Sequence, residues 1–252
     1  MFISLGPADN RDVSEPEPEP EPGPEPEPGP EPEKQSVPMF ISLGPNCHPS
    51  GNLKKLNLRK QSLPFDWLLC NKFRVFEYVN NLINTNFSNF TTNLIYNHRG
   101  KVISKDYGYV EFFHHDLIKN FTIGRPEDDN KNLVDVMNKR GKRFMDIISN
   151  ENNEVVFLCM LHHTDLIKNG LINNHKLYQD MINFDTNLNI KCNFKVLVYL
   201  YNDNEDYNLI IPNELGNLKH FIFDKYIRNQ TVFKIYGDLI DFKQLLEKNK
   251  LL

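Results

Sequence analysis

"MFISLGPNCHPSGNLKKLNL" (residues 39–58) sets the reading of the whole chain. Residues 40–43 are an apolar run of strand length that stops at Gly44-Pro45, and residues 50–58 carry Leu53, Leu56 and Leu58 as a short helix would. Strand, tight turn and helix together are the opening unit of an α/β fold. Cys47 falls in the turn. Close to a helix N-terminus, amide dipoles favour a thiolate, and in open α/β sheets ligands bind at the carboxyl ends of strands, at a switch point of strand order. Pro49, Ser50 and Gly51 suit a turn that leaves the thiol accessible, and His48 reads as a turn residue.

The first seven of these residues also occur at 1–7, where no cysteine follows. Between the copies, residues 14–33 are almost pure Pro-Glu. Proline fixes φ and glutamates repel, so an extended, disordered, solvated arm is expected. Residues 1–38 hold ten acidic and two basic residues, leaving 27 basic and 23 acidic over 39–252. The chain thus divides into an acidic extension, 1–38, and a single mildly basic α/β domain, 39–252. Its basic residues are scattered rather than gathered into a stripe, which argues against nucleic-acid binding. At 40% hydrophobic the domain has enough apolar side chains for a real core. No apolar stretch approaches the roughly 20 residues of a membrane span, and no secretory signal is read. A cytoplasmic protein is expected, in the host cytoplasm if the chain is viral.

Beyond the opening unit, residues 62–69 read as a loop and 72–83 as an amphipathic helix. Residues 93–96 and 101–104 read as a hairpin closed by Asn97-His98-Arg99-Gly100, with a further strand at 109–113. A helix is expected over 130–149. Three apolar runs follow at 155–161, 195–201 and 220–223, separated by a helix over 174–184 and by a loop, with a last helix over 238–248. Apolar strands alternating with helices predict an open, mostly parallel, Rossmann-like sheet with flanking helices, the region 90–125 being an inserted β-hairpin.

The four cysteines are widely spaced and form no CxxC pair, as suits a reducing compartment. Cys70, Cys159 and Cys192 read as structural. A cysteine nucleophile needs a base within reach, and two histidine pairs are available. His114-His115, with Asp116 after them, closes the strand expected at 109–113, and His162-His163 closes the strand at 155–161. If that second strand runs parallel to the first, His162 shares an edge of the sheet with Cys47. Neighbouring side chains on a strand point to opposite faces, so at most one histidine of each pair can face the thiol. His98, His175 and His220 show no obvious partner. Without a His-x3-His or HExxH pattern, neither a metal nor another cofactor is expected.

The runs "ISLGPNC", "LKKLNLRKQSLPFDW", "FFHHD" and "RFMDII" before "VVFLCML" resemble a family of papain-like cysteine peptidases found in bacteria and large DNA viruses. The matching residues are Ser42, Leu43, Gly44 and Cys47; Leu58 and Arg59; Pro64, Phe65, Asp66 and Trp67; and His115-Asp116. The resemblance implies Cys47 as nucleophile and His115 or His114 as base, with Asp116 or Asp66 orienting the imidazole. An ion pair between Arg59 and Asp66 is expected to lock the Pro-Phe-Asp-Trp loop beside the site, with Asn46, Arg59, Asp66, Trp67 and His162 the expected substrate-binding residues. Asn46 and the amides after Cys47 supply an oxyanion hole on this reading. Papain-like folds place the cysteine on a long central helix beside a β-barrel, whereas the helix expected here is short and the strand pattern that of an open sheet.

Two functions stand. One is a thiol-dependent peptidase, or a related acyl hydrolase or transferase, acting on a peptide or small-molecule substrate. The other is a non-catalytic α/β module with a small-molecule or glycan pocket. A sugar-nucleotide transferase ranks behind both, since the acidic stretch at 203–206 lacks the context of a metal motif. Oligomeric state is not legible in the sequence.

Overall fold

The computed structural model of the chain describes residues 37–99, 101–112, 133–163, 175–202, 213–227 and 239–252, and the backbone of 115–116 and 121–122. The Pro-Glu arm, the first MFISLGP copy and His114 lie outside the described residues, as do the side chains of His115 and Asp116. In chain order, β1 (Met39–Gly44) leads into α1 (His48–Lys55), followed by β2 (Leu69–Cys70) and α2 (Val75–Asn84). Five short strands come next: β3 (Leu94–Tyr96), β4 (Val102–Ser104), β5 (Val110–Glu111), β6 (His115–Asp116) and β7 (Phe121–Thr122). Then come α3 (Leu133–Ile148), β8 (Glu154–His162), α4 (His175–Asp185) and β9 (Asn193–Asn202). A 3-10 turn (Asn213–Asn217), β10 (Phe221–Ile227) and α5 (Leu239–Lys248) are the last elements among the described residues.

The main sheet is four-stranded and wholly parallel, in the order β1-β8-β9-β10. Residues 155–161 of β8 and 196–201 of β9 read as apolar runs because both faces of the sheet are covered. Ile41, Val155, Phe157, Cys159, Val196 and Val198 point into one core, shared with α2, α3 and α4. The alternate residues Phe40, Val156, Leu158, Leu197 and Tyr199 point into a second core, shared with α1 and α5. Each fully buried Phe, Leu or Val contributes about 1.5–3 kcal/mol. The strand order follows the chain order, so no reversal occurs among the described strands. The expected switch point is therefore not found, and the turn bearing Cys47 leaves an outer strand whose one sheet partner among the described residues is β8.

A second, antiparallel sheet has the order β2-β5-β4-β3. Its strand β2 lies where the sequence reads as the end of a loop, and two residues are too few for any alternation to show. Among the described residues of the strand expected at 109–113, Val110–Glu111 form the strand that pairs in this sheet. His115-Asp116 does not close it; those residues pair instead with Phe121–Thr122 in a separate ladder.

Helix α1 begins at His48, two residues before the expected start, because Pro49 in the first turn needs no amide partner. It ends where Asn57 turns left-handed (φ 57°). The Asn57 amide then donates to the Lys54 carbonyl and the Leu58 amide to the Leu53 carbonyl at 2.9 Å, a Schellman closure.

Candidate active site

The strand-to-helix turn is pinned residue by residue. Gly44 has φ +94°, a conformation that side chains disfavour, and it breaks the β1–β8 register. The Gly44 amide donates to Ser42 Oγ at 3.2 Å. The Pro45 carbonyl accepts the Cys70 amide at 2.8 Å, tying the turn to β2. Asn46 Oδ1 accepts the His48 amide at 2.9 Å, and the Cys47 carbonyl accepts the Gly51 amide at 2.9 Å. Of the amides after Cys47, His48 and Gly51 are thus engaged and Pro49 has none.

Cys47 is the N-cap residue of α1 and makes no side-chain cap bond. Its thiol is free and half-buried. Burial pushes the thiol above its ordinary range, opposed by a hydrogen bond from its own backbone. Burial thus acts on this thiol against the expected stabilisation of a thiolate at the helix N-terminus, and it is the larger of the two causes. No imidazole among the described residues bonds it.

His48, read from the sequence as a turn residue, is instead buried at the start of α1. Its Nδ1 lies 2.8 Å from Tyr199 Oη of β9. The imidazole packs against the rings of Tyr199, Tyr226 and Phe242, with centroids 5.7, 5.3 and 6.0 Å away. Asn52 Nδ2 approaches it from the next turn, 3.2 Å from Nε2. A histidine between cysteine and proline carries no periodic signal that would have shown this burial.

On the other side of α1, Arg59 Nη1 donates to both Ser50 Oγ and Asp66 Oδ2, each at 3.2 Å. The Leu63 amide donates to the same Asp66 oxygen at 2.9 Å. The guanidinium lies 5.6 Å from the Trp67 ring centroid, while Phe65 is core, packed on Tyr78, Phe87 and Phe144. Leu-Arg and Pro-Phe-Asp-Trp thus contact one another and α1.

His162 ends β8 on the α1 face, in step with Val156, Leu158 and Met160, with Tyr201 edge-on at 4.5 Å. His163, one residue on, is buried. Desolvation first, then His162 and Lys225, hold its imidazole below the ordinary range. His220 does have a partner, Asp185 at 3.0 Å, which also accepts the Lys219 and His220 amides. The other cysteines are free thiols raised by burial: Cys70 to about 12, Cys192 to about 11 and Cys159 well above its ordinary range.

Among the described residues, no three His, Cys, Asp or Glu side chains gather as a metal site. No described helix is long and apolar enough to cross a membrane. No curated protein and no solved structure matches the chain. Residues 38–204 do match a family, and that span includes the pinned turn, the Arg59–Asp66 clamp and both histidine pairs; the chain belongs to the family described as "putative papain-like cysteine peptidase".

Proposed function

We propose that the protein is a thiol-dependent peptidase, or a related acyl hydrolase or transferase, with Cys47 as nucleophile. The observation that carries this is a contrast at the turn. Pro45, Asn46, His48 and Ser50 are each anchored by a hydrogen bond, whereas the Cys47 sulfur has no side-chain partner among the described residues. A fixed backbone presenting an unpaired reactive atom is how a nucleophile is preorganised. Family membership supports the same reaction class. We take the scaffold to be an open, Rossmann-like sheet with an inserted hairpin because the main sheet is parallel and covered on both faces, although its described strands show no reversal of order.

A thiol that rests protonated needs a general base. His162 is favoured by its place: it ends the strand beside β1, on the face α1 covers. The family resemblance favours His115 or His114, with Asp116 orienting the ring. The base takes the Cys47 proton as sulfur attacks the substrate carbonyl. The imidazolium then returns that proton to the departing amine or alcohol, leaving a thioester for water or an acceptor to cleave. Asn46 Nδ2 and the Ser50 amide are the donors closest in sequence to the developing oxyanion.

The test is reaction with a peptidyl acyloxymethyl ketone, mapped by mass spectrometry. Cys47 is expected to be modified faster than the other thiols, and Cys47→Ala to abolish the adduct. His162→Ala and His115→Ala then assign the base. Equal, slow modification of all four cysteines overturns the proposal.

A second reading, a non-catalytic module with a small-molecule or glycan pocket, draws on the raised thiol and the absence of an imidazole bonded to it among the described residues. It expects Cys47→Ser to leave ligand affinity and thermal stability intact.

A further inference from the structure

Helix α1 is poorly equipped to hold its own first turn. Eight residues are too few for a helix to be stable alone, and Cys47 offers no side-chain cap. The residues that α1 buries before Leu53 are His48, Pro49, Ser50, Gly51 and Asn52, which together offer little aliphatic surface. Besides the packing of the His48 ring on Tyr199, Tyr226 and Phe242, two polar ties hold this turn. Ser50 is tied to Arg59 on one side, and on the other His48 Nδ1 meets Tyr199 Oη at 2.8 Å. Tyr199 belongs to β9, two strands from β1, and faces the core under α1 and α5. The bond therefore reaches across β8, and the residue it anchors is covalently next to Cys47.

We propose that the His48–Tyr199 pair positions Cys47, clamping the first turn of α1 so that the sulfur stays half-buried at the carboxyl edge of the sheet. The inference rests on Cys47 being the nucleophile. His48 and Tyr199 touch no substrate in this account and act only through the turn. The titratable and charged groups around the turn are His48 itself, Tyr199 of β9, Tyr226 of β10, Cys70 of β2, and Arg59 at Ser50 with its partner Asp66, while His162 ends β8 on the same face. At neutral pH the two tyrosines and Cys70 are uncharged, so releasing the clamp alters the thiol mainly through its exposure to water.

The experiment is iodoacetamide labelling of the full chain from pH 6 to 10, with rates read cysteine by cysteine. Iodoacetamide needs no acyl chemistry, so the outcome is separable from failure of the peptidase reading, which the acyloxymethyl ketone reports. Tyr199→Phe keeps the ring packed on His48 and removes only the hydroxyl. It is expected to raise Cys47 labelling at neutral pH by about three- to ten-fold and to move its pH midpoint down toward an ordinary thiol, with buried Cys159 and Cys192 staying protected. His48→Phe fills the same aromatic box without the bond and is expected to behave alike. An unchanged Cys47 rate and midpoint in both variants overturns the proposal. So does a parallel rise at Cys159 and Cys192, which marks general loosening instead of a local clamp.

Discussion

Arg59 and Asp66 form an ion pair at 3.2 Å with side chains only 8% and 1% exposed. Seven residues apart, they fold the Pro-Phe-Asp-Trp segment back onto the helix that follows Cys47. Removing one partner strands the other charge in the interior, which costs about 3–5 kcal/mol. Arg59→Met is therefore expected to lower the urea midpoint strongly. Arg59→Lys keeps the charge but not the guanidinium whose Nη1 meets Ser50 and Asp66 while its plane lies by Trp67, and is expected to fall between the two. Wild-type stability in Arg59→Met would show the pair to be dispensable.

Asp180 gives the α2–α4 seam a dependence on pH. Its backbone carbonyl accepts Asn80 Nδ2 at 2.8 Å, while one carboxylate oxygen has no hydrogen bond and has Lys176 at 3.6 Å. Burial raises its affinity for a proton, partly offset by Lys176 and Arg74 and reinforced by Glu77. The folded state thus binds the proton more tightly than the unfolded chain. The stability this contributes is present below the ordinary value near 3.8 and is lost as pH rises through the raised one. Asp180→Asn is expected to be more stable than wild type at pH 7 and to flatten that slope in urea titrations at pH 4 to 7.

Gly141 marks a close crossing. A Cβ there would meet Phe87 Cδ1 at 2.8 Å, and Phe87 is itself held at φ 59° and packed on Phe65, Phe90 and Phe144. Alanine gains about 1 kcal/mol of helix propensity, but overpacking costs about 1–3 kcal/mol. Gly141→Ala is expected to be net destabilising by up to about 2 kcal/mol in thermal or chemical unfolding. A stabilised variant would mean that Phe87 has room to move.

The parts of the fold legible in the sequence were those carried by uninterrupted patterns. The runs around Val155 and Val196 read as buried strands because both their faces are covered, and Arg59 with Asp66 belonged to a recognisable motif. What escaped depended on distant partners. Strand β2 exists through pairing with β5, some forty residues on, and His220 finds Asp185 at a separation of 35. His48 sits in a stretch that has every local mark of a turn, and only the aromatic box from β9, β10 and α5 makes it interior. Cys47 was visible as a position, but its protonation depends on burial that no local pattern encodes.

The place of β1 at the rim of the parallel sheet has a kinetic side. Met39 pairs with Val155, so this ladder closes a loop of more than a hundred residues, whereas β8 and β9 join across fewer than forty. Loop-closure entropy favours the shorter connection first. The sheet is thus expected to assemble from β8 and β9 outward, with β1, the strand that leads into the Cys47 turn, docking late and opening early. Native-state hydrogen exchange should find β1 amides less protected than those of β8. Newly made chains would then acquire the turn bearing Cys47 only after the rest of the sheet has formed.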